Sequence, residues 1–213
     1  MPQDETASQL AAAECPELGL VTRLQLLEEQ LAAQGAPVAR ALQPGLSHGE
    51  VAALARDKGL TFPRELREWY VWHDGVAGEE DAEHYVDVGL GNAMVPLTWA
   101  EAALHYDTLT SAESQVATGK TYHWYWWPIT YFIGGINLVV DIRGDDGEPC
   151  PVHKVDGRGD RSGDWEEARA PSMTAMVALW NRALSEQWWR WDHDEWADTY
   201  AAMPEDLADT ELV

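Results

Sequence analysis

Two histidines stand beside groups with which they could move a proton. His73 is followed directly by Asp74, and Cys150 precedes His153 by three positions, a thiol and a base. Elementary geometry argues against both pairs. Residues three apart on a strand project to opposite faces, so Cys150 and His153 should point away from each other, leaving a small buried thiol. His73 falls on the aromatic stripe of a predicted helix, which makes it a partly buried histidine with Asp74 near the helix end. Asp192-His193-Asp194 offers metal-ligand types in a row, but adjacent side chains diverge, and no second histidine follows three or four positions away. Asp141, Asp145 and Asp146 before Gly147 have the outline of a calcium loop, yet Arg143 stands where a ligand is required and the distal glutamate is misplaced. Ser114 to Thr121 ends like a phosphate-binding loop, without the first glycine and with a strand expected after Lys120. No catalytic residue, metal ligand or cofactor site is expected from these patterns.

Composition points towards association instead. Of 213 residues, 37 are acidic and 14 basic, for a net charge of −23. Phosphate neutralisation needs clustered Lys and Arg, so direct nucleic-acid binding is not expected, and an anionic membrane is disfavoured for the same reason. A basic protein partner would be drawn in by long-range attraction. General solubility, or adaptation to a salty cytoplasm, is the alternative source of such a charge. Met1-Pro2-Gln3-Asp4-Glu5 lacks a basic region followed by an apolar core, so no signal peptide is expected. Two cysteines, Cys15 and Cys150, make no disulfide framework. A cytoplasmic protein is expected.

The elements that would position these residues follow from spacing. Leu20, Leu24, Leu27 and Leu31 recur at helical intervals until Gly35 and Pro37. Ser47 and Glu50 have capping-box spacing before a helix that stops at Gly59, and Thr98 with Glu101 repeats the device. Pro63 opens a helix with Leu66, Trp69, Tyr70 and His73 on one stripe and Gly75 at its close. Tyr85 to Leu90 alternates like a strand. Residues 124 to 140 carry no formal charge, but Pro128, Gly134-Gly135 and Asn137 suit a hairpin better than a spanning helix. A two-residue turn at Gly134-Gly135 would pair Ile133 with Ile136, Tyr131 with Leu138, Ile129 with Val140 and Trp127 with Ile142, all on one face. Phe132, Asn137, Thr130, Val139 and Asp141 would share the other, a mixed surface. A third strand is expected from Cys150 to Val155. Ser172 can cap a late helix with Met176, Leu179, Trp180, Ala183 and Leu184 on its face. Short helices around an antiparallel meander predict an α+β domain.

Three of these segments, taken in order, resemble the SMI1/KNR4 (SUKH) superfamily. They are Phe62-Pro63-Arg64-Glu65-Leu66-Arg67-Glu68-Trp69-Tyr70 with Trp72-His73-Asp74-Gly75, then Trp127-Pro128-Ile129 through Gly134-Gly135 to Asp141, and the helix holding Met176, Val177, Trp180, Ala183, Leu184 and Trp188. Phe62 stands where that family usually has Leu. The resemblance covers residues 46–190, leaving 1–45 as an N-terminal helical extension and 191–213 as an acidic C-terminal tail. It implies an SMI1/KNR4-like fold, an antiparallel meander flanked by short helices, with no catalytic machinery. Its bacterial members are commonly immunity proteins of toxin–antitoxin pairs, many directed at nucleases, and its fungal members are regulatory interaction modules.

The resulting expectation is a non-enzymatic immunity protein that occludes a basic, nuclease-type toxin, with a regulatory or scaffolding module as the alternative. The residues expected at the partner surface are Glu79, Glu80, Asp81 and Glu83 in one acidic segment. Trp189, Trp191, Asp192, Asp194 and Trp196 form a second, tryptophan-rich one. Exposed Trp beside carboxylates supplies an anchor with charge steering. The equal alternative is a C-terminal segment folded back on its own domain.

Overall fold

Leu20, Leu24, Leu27 and Leu31 lie on one stripe of helix α1 (Leu20–Ala33), and each is almost fully buried. Gly35, at φ +73°, ends the helix in the left-handed conformation. The computed structural model describes residues 18–76, 89–90, 94–112, 122–132, 135–156, 167–192 and 195–198. After α1 come α2 (Val38–Ala41), β1 (Leu42–Pro44), α3 (His48–Asp57), α4 (Arg64–Trp72), β2 (His73–Val76), β3 (Val95–Pro96) and α5 (Trp99–Thr110). Strands β4 (Trp126–Phe132), β5 (Ile136–Asp141) and β6 (Val152–Asp156) precede α6 (Met173–Ser185), β7 (Trp189–Asp192) and β8 (Glu195–Asp198). The class is α+β. The central antiparallel sheet has the order β3-β4-β5-β6, with β1-β2 and β7-β8 as two-stranded pairs.

Both expected capping boxes form. Ser47 Oγ accepts from the Glu50 amide at 3.2 Å while Glu50 accepts from the Ser47 amide at 2.8 Å, and Thr98 with Glu101 does the same at the start of α5. Ser172 caps α6 by accepting from the Ala175 amide.

The hairpin forms in a different register from the one its glycine pair predicts. Phe132 pairs with Ile136 and Tyr131 with Asn137, so three residues rather than two connect the strands, with Gly135 at φ +89°. Beyond Thr130, which pairs with Leu138, the register shifts again: Pro128 faces Val139 and Trp127 faces Val140, with Ile129 as the extra residue of a bulge. The two displacements together still leave Trp127, Ile129, Leu138, Val140 and Ile142 in the main core. The other face is mixed as expected but is buried and not a surface, with Asn137 and Asp141 both covered. Trp126, Val139 and Val155 are buried there with Tyr122 and Leu109 as a second apolar cluster.

One further expectation changes. The α4 helix stops at Trp72, and His73 to Val76 runs as β2 antiparallel to β1, with Leu42 opposite Val76. Gly75 belongs to this strand; at φ +67°, a Cβ there would meet the Thr98 amide nitrogen at 2.2 Å, so β2 passes too close to the start of α5 for a side chain. Helix α1 packs along α6, and Leu24 and Leu27 share one continuous core with Trp69, Trp127 and Trp180. The helix placed outside the resemblance is thus part of the same packed body.

Aromatic side chains fill that core. Trp127 stacks on Trp99 with ring centres 4.8 Å apart and donates its indole N–H to the Tyr70 hydroxyl at 2.8 Å. Phe62 meets both Trp99 and Trp127 at about the same separation, 5.0 and 4.8 Å.

Candidate interaction surface

The C-terminal segment expected as an acidic tail begins as a β-hairpin. Trp189 pairs with Asp198, Arg190 with Ala197, Trp191 with Trp196 and Asp192 with Glu195. Residues of high strand propensity alternate through Trp189-Arg190-Trp191, which is what allows this. The chain enters β7 from α6 through Gln187, a non-glycine residue at φ 58°. Alternation then sends Trp189 inward. It is 2% exposed and packs beside Trp180 with ring centres 6.3 Å apart, so its place is in the core and not at a partner surface. Its indole cannot serve as an exposed anchor.

Trp191 and Trp196 are only half-buried. They face each other across the hairpin, ring centres 5.5 Å apart and nearly perpendicular. The hairpin is fastened at two points: Gln34 at the end of α1 accepts from the Trp191 amide at 2.9 Å, and the Trp196 indole donates to the Gly89 carbonyl at 3.0 Å. Asp192 accepts from Arg190 at 2.8 Å. Glu79, Glu80, Asp81, Glu83 and Asp194, together with the expected strand from Tyr85, lie outside the described residues. Gly89 is six positions after Glu83 in the chain. The hairpin carrying Trp191, Asp192 and Trp196 is thus tied to a residue six positions along the chain from the first acidic segment.

Trp124, absent from the expected surface residues, is 63% exposed. It sits in the turn before β4, where its carbonyl accepts from the Tyr106 hydroxyl at 2.6 Å. Beside it His123 stacks on Tyr125, and the Arg143 guanidinium lies 3.8 Å above the Tyr125 ring. The signal was available: Tyr122 to Trp127 is six aromatic residues in a row, more than one sheet face can cover.

The residues weighed for chemistry have other occupations. Asp74 accepts from the Trp99 amide at 2.7 Å and so serves the start of α5. Cys150 is buried, and burial followed by the neighbouring Glu65 carboxylate pushes its thiol up to about 12, keeping it protonated at neutral pH. His153 lies against the Trp126 ring on the second cluster, away from Cys150 in the main core. Asp146 pairs with Arg67 at 2.6 Å. For Asp141, burial opposes ionisation, but hydrogen bonds from the Arg143 side chain and amide outweigh it and hold the carboxyl below its usual range. Among the described residues, no three His, Cys, Asp or Glu side chains are grouped to hold a metal. No described helix is long and apolar enough to cross a membrane.

A cavity of about 270 Å³ opens between α4, the 147–149 turn and the start of α6. Glu65 lines it. Its carboxylate accepts from the amides of Cys150, Met173 and Thr174 and from the Thr174 hydroxyl. With its lone pairs so engaged, this acid is a brace for the start of α6.

No known family matches this chain, and no curated protein matches it.

Proposed function

We propose that the chain is a non-enzymatic, SMI1/KNR4-like protein-binding module, an immunity protein that occludes a basic, nuclease-type toxin in the cytoplasm. The observation that carries this reading is the bond from Trp196 to Gly89. It fastens the hairpin that carries two half-buried indoles and the Asp192 carboxylate to Gly89, six positions along the chain from Glu83. That combination, on a molecule of net charge −23, suits a basic surface: carboxylates take positions that phosphates would occupy, and the aromatic pair supplies apolar contact area.

Electrostatic steering then sets the encounter rate. Association should approach about 10⁸ M⁻¹s⁻¹ at low ionic strength, against about 10⁵ to 10⁶ without attraction. Co-purification with the product of the adjacent gene, followed by association rates over a salt series, tests this. A rate falling at least tenfold between about 0.02 and 0.5 M salt supports charge steering, and a salt-insensitive rate removes it. Failure of the adjacent product to bind, with no toxin gene in the neighbourhood, would favour the regulatory module instead.

A further inference from the structure

His73 stands where α4 passes into β2, with its side chain 17% exposed. Its Nδ1 lies 2.6 Å from the Gln43 carbonyl oxygen on β1, an atom that can only accept, so Nδ1 carries a proton. Its Nε2 lies 3.2 Å from Glu28 Oε2 on α1. A neutral ring protonated at Nδ1 would turn a lone pair towards that carboxylate. The same oxygen accepts from the Trp72 indole N–H at 3.2 Å. With Glu28 as a carboxylate, both ring contacts are satisfied together only when the imidazole holds two protons.

We propose that Glu28, His73 and Gln43 form a proton-operated latch that fastens α1 to the β1–β2 pair. Each element packed on the imidazole contributes: α1 the Glu28 carboxylate, β1 the uncharged Gln43 carbonyl, and α4 the Trp72 ring, 4.7 Å away and nearly perpendicular. On β2 itself the neighbouring Asp74 is engaged with the Trp99 amide. Glu28 is thus the charged group that answers the ring. Protonated, His73 makes a charge-assisted bond across three elements. On deprotonation the Nε2–H is lost, the carboxylate faces a lone pair, and α1 is held there by Trp72 alone. His73 precedes Glu79, the first residue of the proposed partner segment, by six positions in the chain. The latch stands independently of what that partner is.

Unfolding equilibria of the intact chain, Glu28→Gln, His73→Gln and the double variant, measured near pH 5.5 and near pH 8.5, test the latch. Glutamine at 28 keeps an oxygen for Trp72. The Glu28–His73 coupling should alter the unfolding constant roughly threefold at the lower pH and vanish at the higher. Equal coupling at both would overturn the proposal. Ring nitrogen NMR of the unaltered chain gives a second reading that needs no variant. Two ring protons should be present near pH 5.5 and the Nδ1–H tautomer alone near pH 8.5; an Nε2–H tautomer at the higher pH would sink the latch.

Discussion

Glu65 shows how much one carboxylate can organise. It reaches from α4 to the Cys150 amide and to two amides and a hydroxyl at the start of α6, joining segments more than eighty residues apart. Removing it leaves buried donors without an acceptor, so Glu65→Ala should lower stability by about 3 kcal/mol, read as a shift of the urea midpoint. Asp141 makes a prediction with a definite sign. Its carboxyl is held below the usual range, so the bond to Arg143 stabilises the fold above ordinary carboxylate pH and is lost as pH falls through the lowered value. Asp141→Asn should therefore cost about 1–2 kcal/mol at neutral pH and flatten the acid limb of stability against pH. Cys150 should resist alkylation in the folded chain at pH about 8 and react fully in denaturant, as burial and the raised thiol require.

At the scale of elements, what was legible had a local cause. The leucine spacing of α1 and the capping residues of α3, α5 and α6 act within a turn or two of chain, so their types and positions suffice. The hairpin register was not legible, because Gly134-Gly135 permits a two-residue turn without demanding one, and the bulge at Ile129 answers to packing around Trp127. Spacing extends α4 past its true end because His73 continues the helical stripe, while the pairing of β2 with β1 comes from chain thirty residues away. The C-terminal hairpin was hidden by composition: acidic residues after Trp191 suggested a solvated tail, although alternating tryptophans are good strand formers. Of the expected surface residues, Trp191, Asp192 and Trp196 come together, Trp189 goes to the core, and Trp124 was overlooked. Helix α1 gives the plainest test. Leu27 is fully buried between α1 and the rest of the core, so Leu27→Ala should cost about 2–5 kcal/mol in the same urea assay.

The whole molecule carries a charge that acts against its own folding. Twenty-three excess negative charges repel across a body of 213 residues, and the pairs Lys58–Asp107, Arg64–Glu68 and Arg182–Glu186 relieve this only locally. Added salt should therefore raise the unfolding free energy, by up to about 1 kcal/mol between low salt and about 0.5 M, read as a higher urea midpoint. Partner association should weaken over the same range. Opposite signs for the two salt responses would separate a surface kept acidic for binding from one kept acidic for solubility alone.

The stacking of Trp99 on Trp127, and the succession from Trp69 through Trp180 to Trp189, also has an optical consequence. Indoles this close share their excited states, so the folded chain should give a signed couplet in far-ultraviolet circular dichroism that disappears when the rings separate. Trp124 stands outside that array and faces water. Its emission should lie to the red of the buried rings, so that a wavelength chosen at the red edge would report on the surface while the couplet reports on the interior.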